Sequence, residues 1–334
     1  IWTHVAATFD NATIKVYING VEAGSQNYPW SLVDPGDRPM WIGTDINNTR
    51  WFDGLIDEAS IYDRALSSPE IQAIFAAGSA GKLPPAPVAF TVNSTVDAVD
   101  ANTGDGICET GTIGQCTLRA AIMQAGALSG ENTINLPAGT YTLTIPGRGE
   151  LAAVTGDLNI TDDLTINGPG AATTIIQADD TTPFDGIDRV FRVHSGVTDA
   201  HISGVTIRHG NSGAGGGILN QGTLTLTDSI VSNNRARAPF FFSDLAGGGI
   251  FNANFSTLTI IGSTISDNVA VNGGGINNHF NNSTLTITGS TISGNMATDN
   301  GGGILNQGVM TVTNTTISNN VATAALSNGG GISN

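Results

Sequence analysis

The sequence predicts an all-β protein that is built mostly as a right-handed parallel β-helix. Gly contributes 44 of the 334 residues while charged residues make up only 12%, a balance typical of short strands joined by tight turns. A Gly-Gly-x-Ile motif recurs through the later part of the chain, with alternating Thr-Leu-Thr runs between its copies. Hydrophobic residues, at 40%, suffice for a long internal core.

The repeat is clearest from residue 215 onward, where each copy is predicted to be one coil of three short strands. Its Gly-Gly-Gly-Ile tetrapeptides begin at Gly215, Gly247, Gly273, Gly301 and Gly329, at steps of 32, 26, 28 and 28 residues. Coils stacked about 4.8 Å apart satisfy each other's backbone and align equivalent aliphatic residues into an internal column. The inward residues are predicted to be Leu224 and Leu226, Leu258 and Ile260, Leu285 and Ile287, and Met310 and Val312. Between residues 131 and 214 the repeat is less regular, with strands predicted at 158–167, 173–177, 190–194 and 200–208.

Asparagine follows two of the repeated strands in each coil. One row stands two residues after the repeated Ile, at Asn220, Asn252, Asn278, Asn306 and Asn334. A second row ends an Ile-x-x-Asn pattern, at Asn233, Asn268, Asn295 and Asn320. Because Asn accepts left-handed dihedrals at tight bends and bonds neighbouring backbone, we expect two Asn ladders at two corners of the coil.

These paired motifs resemble the repeats of polymorphic outer-membrane proteins, except that the second motif starts with Ile where that family usually has Phe. The resemblance implies a solenoid of the pectate-lyase-like type. We expect the β-helix to occupy residues 131–334 and to continue beyond Asn334.

Residues 1–80 form a separate all-β segment with one helix. Alternation from Trp2 to Thr8 and the run Ile14–Ile18 predict two strands, and Asn19-Gly20 is a hairpin-turn dipeptide. Further strands are predicted at 41–43 and 52–62. A short helix follows, with Ser68 as its cap, Pro69 at its first position and Gly78 as its stop.

This segment resembles the laminin-G-like, concanavalin-type jelly roll. The residues that carry the resemblance are Trp2-Thr-His4-Val5-Ala-Ala-Thr-Phe9-Asp10, Val16-Tyr17-Ile18-Asn19-Gly20 and Phe52-Asp-Gly54-Leu-Ile56-Asp57-Glu58. They match only the later half of that sandwich, so we expect its earlier strands upstream of Ile1. The resemblance implies binding of a glycan or a protein ligand.

A linker and a capping segment connect the two parts. Residues 81–89 are Pro-rich and extended, and residues 90–130 contain two cysteines and a helix with Leu118, Ile122 and Ala125 on one face. An amphipathic helix here would cover the apolar end of the β-helix. The run from Cys116 to Ala121 resembles the CSLREA motif of bacterial surface proteins, with Ala120 where that family usually has Glu.

The spacing of Cys108 and Cys116 predicts a disulfide across a short loop, which suits a secreted or cell-surface protein. The net charge of -16 disfavours nucleic acid and anionic membranes as partners and favours divalent cations. The sequence has no run of about 18 or more apolar residues, so it predicts no membrane-spanning helix.

Two groups of oxygen-bearing side chains are candidate calcium sites. The first is a Gly-rich loop beside the predicted disulfide, with Asp97, Asp100, Asn102 and Asp105, and the second is Asp10 with Asp57 and Glu58 in the jelly roll. For both groups the alternative is a polar surface loop that binds no metal.

A basic group between residues 189 and 209 is the candidate for catalysis. It contains Arg189, Arg192, His194, His201, Arg208 and His209, of which Arg192, His194, Arg208 and His209 are the candidate catalytic residues. Arg192 and His194 share one parity of a strand and are predicted to face outward, where a polysaccharide lyase would hold an acidic sugar and its base. The alternative is a solvated polar face beside Asp185, Asp188 and Asp199.

The sequence therefore favours a non-enzymatic, secreted or cell-surface modular protein that acts in adhesion. In this hypothesis the jelly roll binds a polysaccharide, a surface glycan or a protein ligand, and the β-helix is a stalk or adhesive surface. The alternative hypothesis is a polysaccharide lyase or glycoside hydrolase. In this hypothesis the catalytic residues lie on the β-helix, and the jelly roll is the carbohydrate-binding module.

Overall fold

The computed structural model forms two compact units, residues 1–84 and 85–334. It describes residues 2–10, 12–27, 42, 52–57, 59–62, 65–78, 87–128, 130–178, 186–237, 247–280, 282–324 and 328–334. The described chain is nearly all β, as the sequence predicted.

The N-terminal unit contains one antiparallel sheet of three strands in the order β1-β2-β3. The strands are β1 Val5–Phe9, β2 Thr13–Ile18 and β3 Val21–Asn27. Asn19 and Gly20 join β2 to β3 with φ of 49° and 78°, which is the two-residue hairpin turn that the dipeptide predicted.

Helix α1, Ser68–Ala77, packs against this sheet. Its cap is Ser67, one residue before the predicted Ser68, because the Ser67 backbone N–H donates to Glu70 Oε2 at 2.7 Å in a capping box. The Tyr17 and Ser68 hydroxyls are hydrogen-bonded at 3.0 Å, and Tyr17 and Ile71 are both buried.

The strands predicted at 52–62 are not formed in the described residues of that range, 52–57 and 59–62. β-Forming residues make a strand only when a neighbouring strand accepts and donates their backbone hydrogen bonds, and β1–β3 pair only with one another. The strand predicted at 41–43 lies outside the described residues except for Ile42.

Strand β4, Ala89–Thr91, lies where the predicted linker meets the predicted capping segment and pairs in parallel with β5, Asn132–Asn135. Cys108 and Cys116 form the predicted disulfide, with Cα atoms 5.1 Å apart. Helix α2, Leu118–Ala127, starts at its N-cap Thr117, whose hydroxyl accepts the Ala120 N–H at 3.1 Å. Leu118, Ile122 and Ala125 are buried, and the helix packs on the first strands of the β-helix.

The β-helix contains four parallel sheets, which we name A to D in the order in which a coil visits them. Sheet A holds β7 Leu158–Ile160, β10 Phe191–Val193, β14 Ile218–Asn220, β18 Ile250–Asn252, β22 Ile276–Asn278, β26 Ile304–Asn306 and β30 Ile332–Ser333. Sheet B holds β4, β5 Asn132–Asn135, β8 Leu164–Asn167, β11 Ala200–Ser203, β15 Thr223–Thr227, β19 Thr257–Ile261, β23 Thr284–Thr288 and β27 Val309–Thr313.

Sheet C holds β6 Gly139–Thr142, β9 Thr174–Gln177, β12 Thr206–Arg208, β16 Ile230–Ser232, β20 Thr264–Ser266, β24 Thr291–Ser293 and β28 Thr316–Ser318. Sheet D holds β13 Asn211–Ser212, β17 Arg235–Ala236, β21 Val269–Ala270, β25 Met296–Ala297 and β29 Val321–Ala322. The sequence predicted three strands in each coil and missed sheet D, because two-residue strands are too short to show a polarity period.

The interior is the predicted aliphatic column. Leu224, Leu226, Leu258, Ile260, Leu285 and Ile287 are fully buried, and Met310 and Val312 pack partly buried on the same core. The third Gly of each Gly-Gly-Gly-Ile motif allows adjacent coils to approach closely. A Cβ on Gly249, for example, would lie 2.8 Å from the Gly275 carbonyl oxygen.

Two Asn ladders run along the corners of the later coils. In the first, the Asn220, Asn252 and Asn278 side-chain amides each donate to the next Asn carbonyl, in every case at 2.7 Å, and the ladder continues through Asn306 to Asn334. In the second, the links from Asn234 to Asn268 and on to Asn295 are 3.0 Å each, and the last, to Asn320, is 2.9 Å.

The prediction of Asn233 in this second ladder is wrong, because the rung is Asn234. Val231, not Ile230, pairs in register with Ile265, so the Ile-x-x-Asn spacing is shifted by one residue in this coil. Asn233 instead occupies the left-handed bend, with φ of 54°, and the ladder residue follows it. Neither helix in the described part of the chain is long and apolar enough to cross a bilayer.

Candidate functional site

Polar side chains gather beside the first strands of sheet A, in what we call the first-coil cluster: Glu150, Asp157, Asn159, Asp188, Arg189, Arg192 and His194. Asn159 of β7 pairs in register with Arg192 of β10. His194 Nε2 lies 2.8 Å from Asn159 Oδ1, and Arg192 Nε donates to Gln221 Oε1 at 2.9 Å. Arg192 and His194 flank the buried Val193 and are half-buried, so they lie on one face as predicted.

The cluster contains a buried ionic core. Asp157 and Asp188 are 3% and 1% exposed. Arg189 Nε lies 3.1 Å from Asp157 Oδ2 and 3.8 Å from Asp188 Oδ1, while Arg189 Nη2 donates to Ser212 Oγ at 2.9 Å. The Nε contact is an ion pair without hydrogen-bond alignment, and Nη1 is covered with no hydrogen-bond partner among the described residues.

Burial dominates the acid–base behaviour of this core. It raises the pKa of Asp157 to about 6, although Arg189 opposes that shift, and the neighbouring Asp188 adds to it. Burial also lowers the pKa of the Arg189 guanidinium, against the attraction of both carboxylates. The pKa of His194 is lowered by burial and by the adjacent Arg192.

The sequence did not identify Asp157, Asn159 or Glu150 as part of this site. Asn159 donates to Asp157 Oδ1 at 3.1 Å and to Glu150 Oε1 at 3.3 Å, so it links both carboxylates to His194. Aligning the starts of the predicted strands 158–167 and 190–194 would have placed Asn159 beside Phe191, one residue away from its partner Arg192. That register is hidden in the sequence because the first coils have unequal lengths.

The remaining basic residues lie on other sheets. Arg208 belongs to sheet C and donates to Gln177 Oε1 at 2.8 Å, and His201 belongs to sheet B, with Nε2 2.7 Å from Asp199 Oδ1. His209 follows β12 in the left-handed region, with φ of 63°, and is almost buried. The six predicted residues therefore do not converge on one site.

The chemistry open to the first-coil cluster is limited by access. A carboxyl with a pKa near neutrality is suited to proton transfer, but a general acid must reach the substrate within hydrogen-bond distance. Asp157 and Asp188 are covered and engaged with Arg189, so in this conformation they hold the first coils together. The partly exposed members of the cluster are Glu150, Arg189, Arg192 and His194.

The predicted calcium loop is divided in the structure. Asp97 binds the fully buried Arg119, with Oδ1 2.5 Å from Nε and Oδ2 3.1 Å from Nη2. Asp105 accepts from Asn102 Nδ2 at 3.1 Å, and Asp100 accepts the Asn102 N–H at 2.9 Å. Asp100, Asn102 and Asp105 thus lie together, whereas Asp97 serves the ion pair.

Arg119 is a structural residue that the sequence did not single out. Besides Asp97, it donates to the Ala153 and Gly156 carbonyls at 2.8 and 2.9 Å, while Asp97 Oδ2 also accepts the Thr144 and Ile145 N–H groups. The pair ties the capping helix to the loop that precedes β7.

In the N-terminal unit, Asp10 and Asp57 line the same concave surface, which is otherwise largely apolar and includes Trp2, Phe52 and Tyr62. Asp10 Oδ1 accepts the Thr13 and Ala12 N–H groups at 2.7 and 3.0 Å, and these bonds lower the pKa of Asp10. Glu58 lies outside the described residues. Within those residues, no group of three or more His, Cys, Asp and Glu side chains is arranged to hold a metal, and calcium at either place stays a prediction.

Comparison with known proteins relates the N-terminal unit to one family. Residues 1–72 match the concanavalin A-like lectin/glucanases superfamily. No curated protein sequence and no solved structure matches the chain significantly. The N-terminal unit is therefore similar to a superfamily that is named for both lectins and glucanases, and the match ends before the β-helix begins.

Proposed function

We propose that this is a non-enzymatic carbohydrate-binding protein of the cell surface or the extracellular space, which acts in adhesion. The N-terminal unit binds the glycan, and the β-helix is the stiff stalk that carries it. The observation that carries this proposal is the match of residues 1–72 to the concanavalin A-like lectin/glucanases superfamily. The concave surface of that unit supports it, because aromatic rings beside carboxylates suit a ligand with both apolar and hydroxyl faces.

The role of the β-helix follows from how its coils are bonded. Each later coil repeats the same inward aliphatic residues and the same two Asn rungs, so each binds its neighbours by backbone and side-chain hydrogen bonds at once. Such a column resists bending, which is the property that a stalk requires.

The experiment is a glycan array probed with the full chain, followed by titration of any bound glycan. All four Trp residues, at positions 2, 30, 41 and 51, lie in the first unit, so Trp fluorescence reports binding there. We expect a glycan-dependent fluorescence change that Asp57→Asn weakens, and titration with calcium and with a chelator tests the metal prediction. Binding of no glycan, or binding without any Trp response, would count against the proposal.

The alternative is a polysaccharide lyase or glycoside hydrolase, and the first-coil cluster is the observation in its favour. Asp157, with a pKa of about 6, lies within one hydrogen-bond network with Asn159 and the half-exposed His194. The chain should be incubated with pectin, alginate and xylan and assayed for unsaturated or reducing ends. Turnover that is lost in both Asp157→Asn and His194→Gln would establish the enzyme and overturn the non-enzymatic proposal.

A further inference from the structure

Two neighbouring turns between sheets A and B each expose an aromatic side chain. The turn after β18 exposes 74% of Phe255, and the turn after β22 exposes 43% of Phe280. Because Asn252 and Asn278, the last residues of those strands, pair in register, the two turns lie on adjacent coils of the same edge. Aromatic residues make up only 6% of the chain, so two exposed rings on adjacent coils form an unusual surface.

The two turns are held to each other by side chains. Asn254, next to Phe255, has its Oδ1 2.7 Å from Nδ1 of His279, the residue before Phe280. The His279 ring lies 5.2 Å from the buried Phe251 ring and meets the Phe280 ring edge-on at 4.8 Å. The His279 ring, which packs on Phe251, therefore holds the Phe280 ring in its exposed position.

Phe255 is exposed at a conformational cost. Its φ is 63°, in the left-handed region, where most of the other described non-glycine residues are Asn or Asp. A bulky side chain in this region is strained, because its Cβ lies too close to the backbone. Because Phe255 is mostly exposed, burial of its ring offsets little of this strain. The stability of the fold therefore does not explain an aromatic residue at this position.

The surroundings define the ligand that this surface would accept. Residues 238–334 contain no Lys or Arg, and from residue 247 onward the only charged residues are Asp267 and Asp299. An anionic ligand therefore finds no Lys or Arg in the coils that carry the two turns or in the coils after them. A protein partner needs roughly 1,000 Å² of interface, whereas even a fully exposed aromatic side chain offers only about 150–250 Å² and these two are partly covered.

We infer that Phe255, Phe280, His279 and Asn254 form a second carbohydrate-binding surface, on the β-helix, for neutral hexopyranose chains. The apolar C–H face of a sugar ring packs on an exposed phenyl ring, and its hydroxyls exchange hydrogen bonds with amide and imidazole groups. The two turns stand on adjacent coils, which are stacked about 4.8 Å apart along the column axis, so an extended chain that lies along this edge passes both rings. This site is separate from the glycan site proposed for the N-terminal unit and does not depend on it.

The test is to titrate the full chain with soluble galactomannan and mixed-linkage β-glucan oligosaccharides, with polygalacturonate as the anionic comparison. Binding at this surface is read from the His279 ring resonance in NMR spectra, assigned with His279→Gln, while Trp fluorescence reads the N-terminal unit. We expect a neutral oligosaccharide to shift the His279 resonance and polygalacturonate to leave it unchanged. If only Trp fluorescence responds, all binding belongs to the N-terminal unit and this inference fails while the proposed function stands.

Four variants separate stacking from stability. Phe280→Ala should lower the association constant, read from His279, by about tenfold, whereas Phe280→Trp should retain it. Ile261→Ala removes an apolar side chain of nearly equal exposure, 41%, from the same coil as Phe255 and should bind like the unmodified chain. Phe255→Gly relieves the strained φ, so it should melt no lower than the parent and still bind more weakly. Unchanged binding in both Phe280→Ala and Phe255→Gly would overturn the inference.

Discussion

The first coils and the later coils of the β-helix share sheets A, B and C but are held together by different side-chain interactions. In the later coils, Asn220 and Asn252 begin a ladder of amides at the end of sheet A strands. In the earlier coils, the residues at that position in register are Val193 and Ile160, which cannot form rungs. The first coils are held instead by Arg189 between Asp157 and Asp188.

This difference reflects which side chain ends each sheet A strand. An amide ladder needs Asn side chains at the same height in adjacent coils, and it forms across a step of 32 residues, from Asn220 to Asn252, as well as across the later steps of 26 and 28 residues. Ion pairs tolerate unequal loops, since long Arg side chains reach across irregular gaps, but their contribution depends on pH. We therefore expect pH to change the stability of the first coils and to leave the stability of the later coils unchanged.

The largest effect should come from breaking the shared aliphatic column. Ile276 is fully buried in sheet A, and Ile276→Asp would leave an unpaired carboxylate there, destabilising the chain by about 5 kcal/mol. Thr286→Asp, on the solvent side of β23, should change stability by about 0.5 kcal/mol. Thermal unfolding of the two variants compares them directly, and equal shifts would contradict the inward and outward assignment.

Removing Arg119 should be nearly as damaging, and it acts on the first coils. Arg119→Ala leaves Asp97 buried beside unpaired carbonyls, and we expect a loss of about 3–4 kcal/mol. Hydrogen exchange should increase first in the capping helix and in residues 144–158. The double variant Asp97→Asn with Arg119→Met removes both charges and should recover part of the loss, and no recovery would mean that the ion pair is not the cause.

The second Asn ladder offers a pair of adjacent residues with opposite expectations. Asn234→Ala removes its bonds to Gly210, Ile207 and Asn268 and should cost about 2 kcal/mol. Asn233→Gly suits the left-handed bend and should change stability by less than about 0.5 kcal/mol. Urea unfolding of both variants measures this difference, which would be reversed if Asn233 were the rung.

The smallest effect is the pH dependence of the first coils. The pKa of Asp157 is about 6 in the folded chain and 3.8 in its reference state, so protonation favours the fold. Its stabilising contribution is complete below pH 3.8 and is lost as pH rises through 6. Between pH 7 and 5 the chain should gain about 1 kcal/mol, and Asp157→Asn should abolish that gain. A gain that persists in this variant would assign the pH dependence to another group.

Much of the β-helix could be predicted from the sequence because its coils repeat. The Gly-Gly-x-Ile motifs and the alternating Leu and Ile pairs located the strands of sheets A and B and the inward residues, and the spacing of Cys108 and Cys116 located the disulfide. The prediction was wrong at Asn233. Val231 occupies the position at which the repeat has Ile in the next coil, so the predicted ladder residue was one position too early.

Local patterns in the amino-acid sequence alone determined the all-β architecture, the repeated interior and the capping helix, since these follow from side-chain polarity and backbone preference over a few residues. The tertiary structure decided which distant residues meet: Arg119 with Asp97, Asp157 with Arg189, and Asn254 with His279. Each of these contacts depends on the register between coils of unequal length. Register is set by hydrogen bonds between whole strands, and no short stretch of sequence encodes it.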